Sequence, residues 1–144
     1  MIDGPEMPPI SDDEKLARFV TVEAWVRADK TLRQDAFIPP KDLNLSVTRH
    51  LTLSEGQLWK IGRDVADAIS EKRSAALYGR ADLTAGKVHL LRLRTMAAPL
   101  PQNPGHAHIT GWPPEKPAQK SVAQQLAAAA GRYIPAPRRS GPGK

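Results

Sequence analysis

The clearest pattern along the chain is helical. Leu58, Ile61, Val65, Ala66 and Ile69 recur at three- and four-residue steps, the spacing that lines one face of an α-helix. Ser54 stands before this run with Gln57 three residues later, the pairing of a capping box, and Leu53 and Leu58 flank the cap as a hydrophobic staple. The spacing predicts a helix over 55–71, with Trp59 at its buried edge. Gly62 lies inside it, and a mid-helix glycine costs about 1 kcal/mol relative to alanine. Either the helix tolerates it or another part of the chain passes closely there. A second helix is predicted over 118–130. Pro117 suits a first turn, Val122, Ala123, Leu126, Ala129 and Ala130 share a stripe, and Gly131 is a natural stop.

Period-two alternation marks the strands. In 45–51, Leu45, Val47, Arg49 and Leu51 alternate with Ser46, Thr48 and His50. In 16–27, Val20, Val22, Ala24 and Val26 alternate behind Ser11-Asp12-Asp13-Glu14, which resembles a helix cap, so a short helical turn followed by a strand is expected. Segments 75–83 and 88–94 read as a hairpin or two sequential strands across 84–87, with Val88, Leu90, Arg92 and Arg94 on one face and His89, Leu91 and Leu93 on the other. Residues 99–105 hold three prolines and a glycine and read as a rigid loop, and 106–110 as a short extended piece. The predicted order, two strands, a helix, further strands and a last helix, implies an α+β fold with a small, mostly antiparallel sheet and two helices.

Length and composition narrow this further. The 144 residues suit one domain, expected over 11–131, between a flexible leader at 1–10 and a disordered, basic, Pro/Gly-rich tail at 132–144. With no cysteine in the chain, disulfides, thiolate zinc sites and thiol nucleophiles are excluded. No apolar run approaches the ~18 residues of a membrane span, and the acidic, Pro-rich start is unlike a secretory signal; a soluble, cytoplasmic protein is expected. Charge is divided unevenly. Residues 1–82 carry 12 basic and 14 acidic side chains, whereas 83–144 carry nine basic side chains and a single acid, Glu115. The net +6 therefore combines −2 with +8, and a basic C-terminal part of that kind suits a polyanion or an acidic protein surface.

No phosphate-binding loop, dinucleotide fingerprint, metalloprotease helix or nucleophile elbow is present, and no cofactor or metal is expected. Chemistry falls to His, Arg and Asp. His50-Leu51-Thr52 and His108-Ile109-Thr110 share the pattern His, apolar, Thr. In an extended segment the first and third residues project together, so a pair of such units facing each other could pass protons at a phosphodiester while the hydroxyls hold its oxygens. Arg49 or Arg80 could offset developing charge. These two strings resemble the two-histidine phosphoesterases of 2′,5′-linked or 2′,3′-cyclic RNA ends. The resemblance implies His50 and His108 as acid and base, and Thr52 and Thr110 as phosphate ligands. A different use of His50 is a strand-end residue that bonds near the helix cap. His106 and His108 could also share a cation with His50 or Asp82, although a His-x-His spacing alone is a weak signal.

Three other groups are candidates for binding. Arg80 and Asp82 share a strand face, as an ion pair or as an anion-binding arginine oriented by the aspartate. Arg92, Arg94, Lys116 and Lys120, with Lys87, form a basic stripe that could track phosphates or dock an acidic protein. The loop at 103–113 carries His106 and Trp112 between glycines and prolines, a fixed geometry more typical of function than of a spacer. The longer strings LSVTRHLTLSEGQLWKIGRDVA, LYGRADL and NPGHAHITGWPPEKPAQK resemble small bacterial proteins of unassigned function, which implies a bacterial cytoplasmic setting. The leading expectation is a non-enzymatic accessory protein. It would engage a protein or nucleic-acid partner, and no membrane, through the basic C-terminal surface and the 103–113 loop. The alternative is a metal-independent RNA-end phosphoesterase.

Overall fold

The computed structural model describes residues 9–72 and 75–137. Strands β1 (Lys15–Val20) and β2 (Leu45–Arg49) are followed by helix α1 (Glu55–Ser70), strand β3 (Gly79–Thr84) and the short helix α2 (Ala85–Leu90). Strands β4 (Arg94–Ala97) and β5 (His106–Thr110), helix α3 (Lys116–Ala130) and strand β6 (Ile134–Pro135) complete the chain. The strands form a six-stranded sheet in the order β4-β5-β2-β1-β3-β6. Every neighbouring pair is antiparallel. The α+β class is as expected, with a third helix added.

Alternation sorts the strand residues onto two faces. Leu16, Val20, Leu45, Val47, Ala81, Leu83, Ala107 and Ile109 join the main core, where they meet Ala123, Leu126 and Ala127 of α3 and Ala85 and Val88 of α2. Ala17 and Phe19 point the other way and pack with Leu58 of α1. Both halves of the predicted capping box are formed: Ser54 Oγ accepts from Gln57 N–H, and the Gln57 side chain accepts from Ser54 N–H. Leu53 packs in the same small cluster as Leu58, as a staple requires. Gly62 is the point of close approach. A Cβ there would lie 2.6 Å from the Phe19 ring, so α1 sits against β1 closer than alanine permits.

Three expectations are corrected. In 16–27 the strand comes first, at Lys15–Val20, and a single 3-10 turn follows at Glu23–Trp25. The alternating valines after Val20 are loop residues. No hairpin joins 75–83 to 88–94: residues 85–90 are helical, and the next strand begins at Arg94. Val88 is fully buried while Leu90 is 83 % exposed, which a shared strand face would not allow. Arg92 has φ 65°, in the left-handed region, and this ends any continuous extended run. β3 instead pairs with β1, and the chain crosses through α2 to the opposite edge of the sheet. Finally, the expected disordered tail is ordered at its start, because Ile134–Pro135 pairs with Gly79 and Arg80 on the edge of β3. The rest of the tail, 138–144 with Arg138, Arg139 and Lys144, and most of the leader, 1–8, lie outside the described residues.

Candidate functional site

α1 covers β1 and β3 on its face of the sheet, through Phe19 and through a charged cluster at the helix N-terminus. Arg80 of β3 is 3 % exposed. Its Nη1 and Nη2 donate to the two oxygens of Glu55 at 2.9 and 3.0 Å, and its Nε donates to Asp82 at 3.0 Å. The guanidinium carbon lies 4.6 Å from the centre of the Trp59 ring, a cation–π stack. His50 Nε2 donates to Asp82 at 2.9 Å. Burial pushes the Asp82 carboxyl up, but the hydrogen bonds and charges of His50 and Arg80 outweigh it and hold the group below its ordinary range. Burial opposes the charge on Arg80 as well, and its two carboxylate partners reverse that and raise it. The Arg80 carboxylates are thus supplied from within the chain, which makes the cluster a tie between α1 and β3.

Arg49 has a similar fate on the opposite face. It is 1 % exposed, with Nε and Nη2 paired to the Glu14 carboxylate. It is sealed from any partner and anchors the start of β1 to the end of β2. Trp112 is 6 % exposed in the main core, and its indole N–H donates to the Ile109 carbonyl at 2.9 Å. It holds the 103–113 loop in place and leaves no ring for a ligand. His89 lies on α2, where Nδ1 donates to Asp12 at 2.7 Å and Nε2 accepts from the Thr95 hydroxyl at 2.9 Å.

The two His-x-Thr units are not brought face to face. His108 pairs with Ser46 and His106 with Thr48. His50 therefore lies four residues along β2 from the strand position opposite His108, roughly 13 Å at strand rise. Its ring is turned to Asp82 on β3, on the side of β2 away from β5. Thr52 is exposed in the turn beyond, and Thr110 pairs with Arg94. His50 lies only two residues along β2 from Thr48, the partner of His106, but its ring is engaged by Asp82 on the other side. Among the described residues no three His, Asp or Glu side chains gather as a cation site.

His106 and His108 stand edge to face with ring centres 4.9 Å apart. The His106 Nδ1–H donates to the Ala98 carbonyl at 2.9 Å. Burial, then the neighbouring His106, pushes the His108 imidazole below its ordinary value, against a weaker pull from Asp42. Beside them β4 forms one edge of the sheet and, among the described residues, pairs only with β5. The Ala98 N–H donates to the His106 carbonyl. By alternation the inward-bonding positions of β4 are Arg94 and Met96, and Thr95 and Ala97 turn their N–H and C=O outward. Met96 is 57 % exposed, and Arg92, Arg94, Ala97, Lys116 and Lys120 are exposed as well. Lys87 is partly engaged, since its Nζ donates to the Ala129 carbonyl at 3.2 Å.

Sequence reasoning missed several participants. Glu14 and Glu55, the partners of the two buried arginines, sit 35 and 25 residues from them, and no local pattern signals such pairing. The open edge at Thr95 and Ala97 was hidden by the misplaced hairpin. Asn103, 3 % exposed, donates from Nδ2 to the Thr48 hydroxyl, and its Oδ1 accepts from nothing. Its place within a Pro/Gly loop was the only hint. No described helix is long and apolar enough to cross a membrane. Comparison with protein-family models, with curated proteins and with solved structures finds no match to this chain.

Proposed function

We propose that this is a non-enzymatic binding protein that captures an extended, acidic protein segment as an added strand along β4. The observation that carries this reading is the free edge itself. A strand edge with unpaired N–H and C=O groups is a template for another strand, and addition at such an edge is a recurrent mode of peptide capture. Arg94 and Met96 lie two residues apart on one face of β4. An added strand would set its own side chains beside them at the same spacing. The preferred segment accordingly carries an acidic residue and an apolar residue two positions apart. Arg92, Lys116 and Lys120 add positive charge in the part of the chain that carries the +8, which speeds encounter with an acidic partner and selects against basic ones. The cysteine-free chain suits a reducing cytosol, where we place it. The inward arginines take no part in capture, and neither does Trp112.

The test is calorimetric titration with a synthetic extended peptide carrying Glu and Leu two residues apart. The Ala97 N–H bonds nothing within the sheet, so Ala97→Pro removes a donor only an added strand would use, and proline is tolerated at such edge positions. Ala97→Pro should leave thermal unfolding unchanged and weaken peptide binding by at least tenfold. Charge reversal at Arg92, Arg94 and Lys116 to Glu should abolish it. Binding indifferent to Ala97→Pro would overturn capture at this edge. Tight binding of single-stranded RNA with no binding of the acidic peptide would give the basic surface to nucleic acid instead.

A further inference from the structure

α1 leaves part of its apolar stripe uncovered. Ile61, Val65 and Ile69 recur at four-residue steps along its C-terminal half, yet all three are only partly buried. The reason is the position of the helix. It is drawn over β1 and β3 by Phe19 at Gly62 and by the Arg80 cluster at its N-terminus, and no described helix covers the β2–β5 half of the same face. A cleft of about 370 Å³ remains between the overhanging stripe and that half of the sheet. Its floor is Phe19, Ser46 and Thr48, its far wall is Leu100, Asn103 and His106, and Trp25 lies at one end. This volume falls in the range of roughly 300–1,000 Å³ typical of small-molecule sites, as does the combination of apolar walls with a few polar groups.

The polar groups specify more than size. The Nδ1 of His106 must donate, because its partner is the carbonyl of Ala98. In the neutral ring, Nε2 is then an acceptor, and none of the hydrogen bonds among the described residues uses it. Asn103 also lines the cleft, and its Oδ1 is a buried acceptor with no partner. A buried polar atom left unsatisfied costs free energy, so turning the Asn103 amide toward a ligand N–H in the cleft would relieve it, whereas a ligand that only fills space would not. Asp64 contributes a carboxylate at the rim, already paired to the Lys60 ammonium at 3.2 Å. Arg18 and Gln102 also line the cleft, and Arg18 donates to the carbonyls of Ala36 and Ser46 at 2.8 and 3.0 Å; the acceptor left unused at the far wall is therefore His106 Nε2, set against an apolar helix face.

We propose that the cleft between α1 and the uncovered β2–β5 half of the sheet binds a small, planar, uncharged ring compound bearing an N–H donor. The ring lies under Ile61, Val65 and Ile69, and the N–H points to the wall of Asn103 and His106. This site is separate from capture at β4 and does not depend on it.

Indole and 1-methylindole test the proposal directly, since they share a ring system and differ in the N–H. Titration of the full chain is followed by amide resonances. Indole should shift residues 46, 48, 61, 65, 69, 103 and 106, and 1-methylindole should bind at least fivefold more weakly. Ala68→Trp places a large ring in the cleft from an exposed helix position and should abolish the response while the thermal unfolding midpoint stays in place. His106→Phe should reduce indole to the affinity of 1-methylindole. Equal binding of the two compounds, unaffected by His106→Phe, would overturn the donor assignment. Shifts confined to other residues, or none at millimolar indole, would overturn the site. Cleft resonances that move when 1–8 or 138–144 are deleted would show that a chain terminus fills the cleft, and the small-molecule reading would fall.

Discussion

Gly62 shows how a single side chain can reverse a propensity argument. Judged by the helix alone, Gly62→Ala should stabilise the protein by about 1 kcal/mol. The added methyl would instead meet the Phe19 ring at 2.6 Å and the Leu77 side chain at 3.2 Å. Phe19 is 6 % exposed and packed with Ala17 and Leu58, so making room for the methyl means turning its ring out of that cluster toward the cleft it lines. Overpacking of this kind costs about 1–3 kcal/mol, so Gly62→Ala is expected to destabilise, read as a lower urea midpoint with unchanged slope. The close approach was one of two readings open from the sequence, and only the position of Phe19 decides between them. The arginines teach the same lesson. Arg49 and Arg80 were candidates for binding because arginine is a good anion ligand. Each turned out to be buried and matched with a carboxylate far away in the chain.

At the scale of elements, α1 was legible nearly residue by residue, because its signals are local. The cap, the staple and the 3.6-residue period all act within one or two turns. Ser54→Ala should cost about 1 kcal/mol, within the usual 0.5–2 kcal/mol for a lost cap, and faster amide exchange at residues 55–58 would localise the loss to the first turn. β2, β5 and α3 were legible for the same reason. Residues 85–94 were not. A run of about seven residues with apolar positions two apart fits a strand and also fits a short helix followed by a turn. The choice depends on which residues reach the core. Val88 does and Leu90 does not, and that follows from the path of the chain across the sheet, not from the residues themselves. The misplacement concealed β4 as a separate edge strand, and with it the surface proposed to bind.

For the whole molecule, one charged cluster links stability to pH. The Asp82 carboxyl is held below its ordinary value of 3.8, so the folded state binds its proton less readily than the unfolded chain. Its contribution is fully present above the unfolded value and is lost as pH falls through the depressed folded one. Stability should therefore fall steadily on acidification below about pH 4, and Asp82→Asn should flatten that slope in urea unfolding series collected between pH 6 and 3. Glu55 shifts in the same direction, but it is exposed and screened, so its share is small. A wild-type slope equal to that of Asp82→Asn would mean that another carboxylate controls acid unfolding.

The sequence by itself determined the helix caps, the main strands, the α+β class and the placement of positive charge in the C-terminal part, because these depend on neighbours within a few residues or on composition. Only the tertiary structure decided which charges are spent internally, which strand edge stays open and where a cavity remains. Those outcomes depend on residues tens of positions apart meeting across a sheet of order β4-β5-β2-β1-β3-β6. The +8 half of the chain illustrates both. Its charge could be counted from the residues, but that Arg94 would stand exposed on a free edge beside Met96 followed only from where β4 is placed.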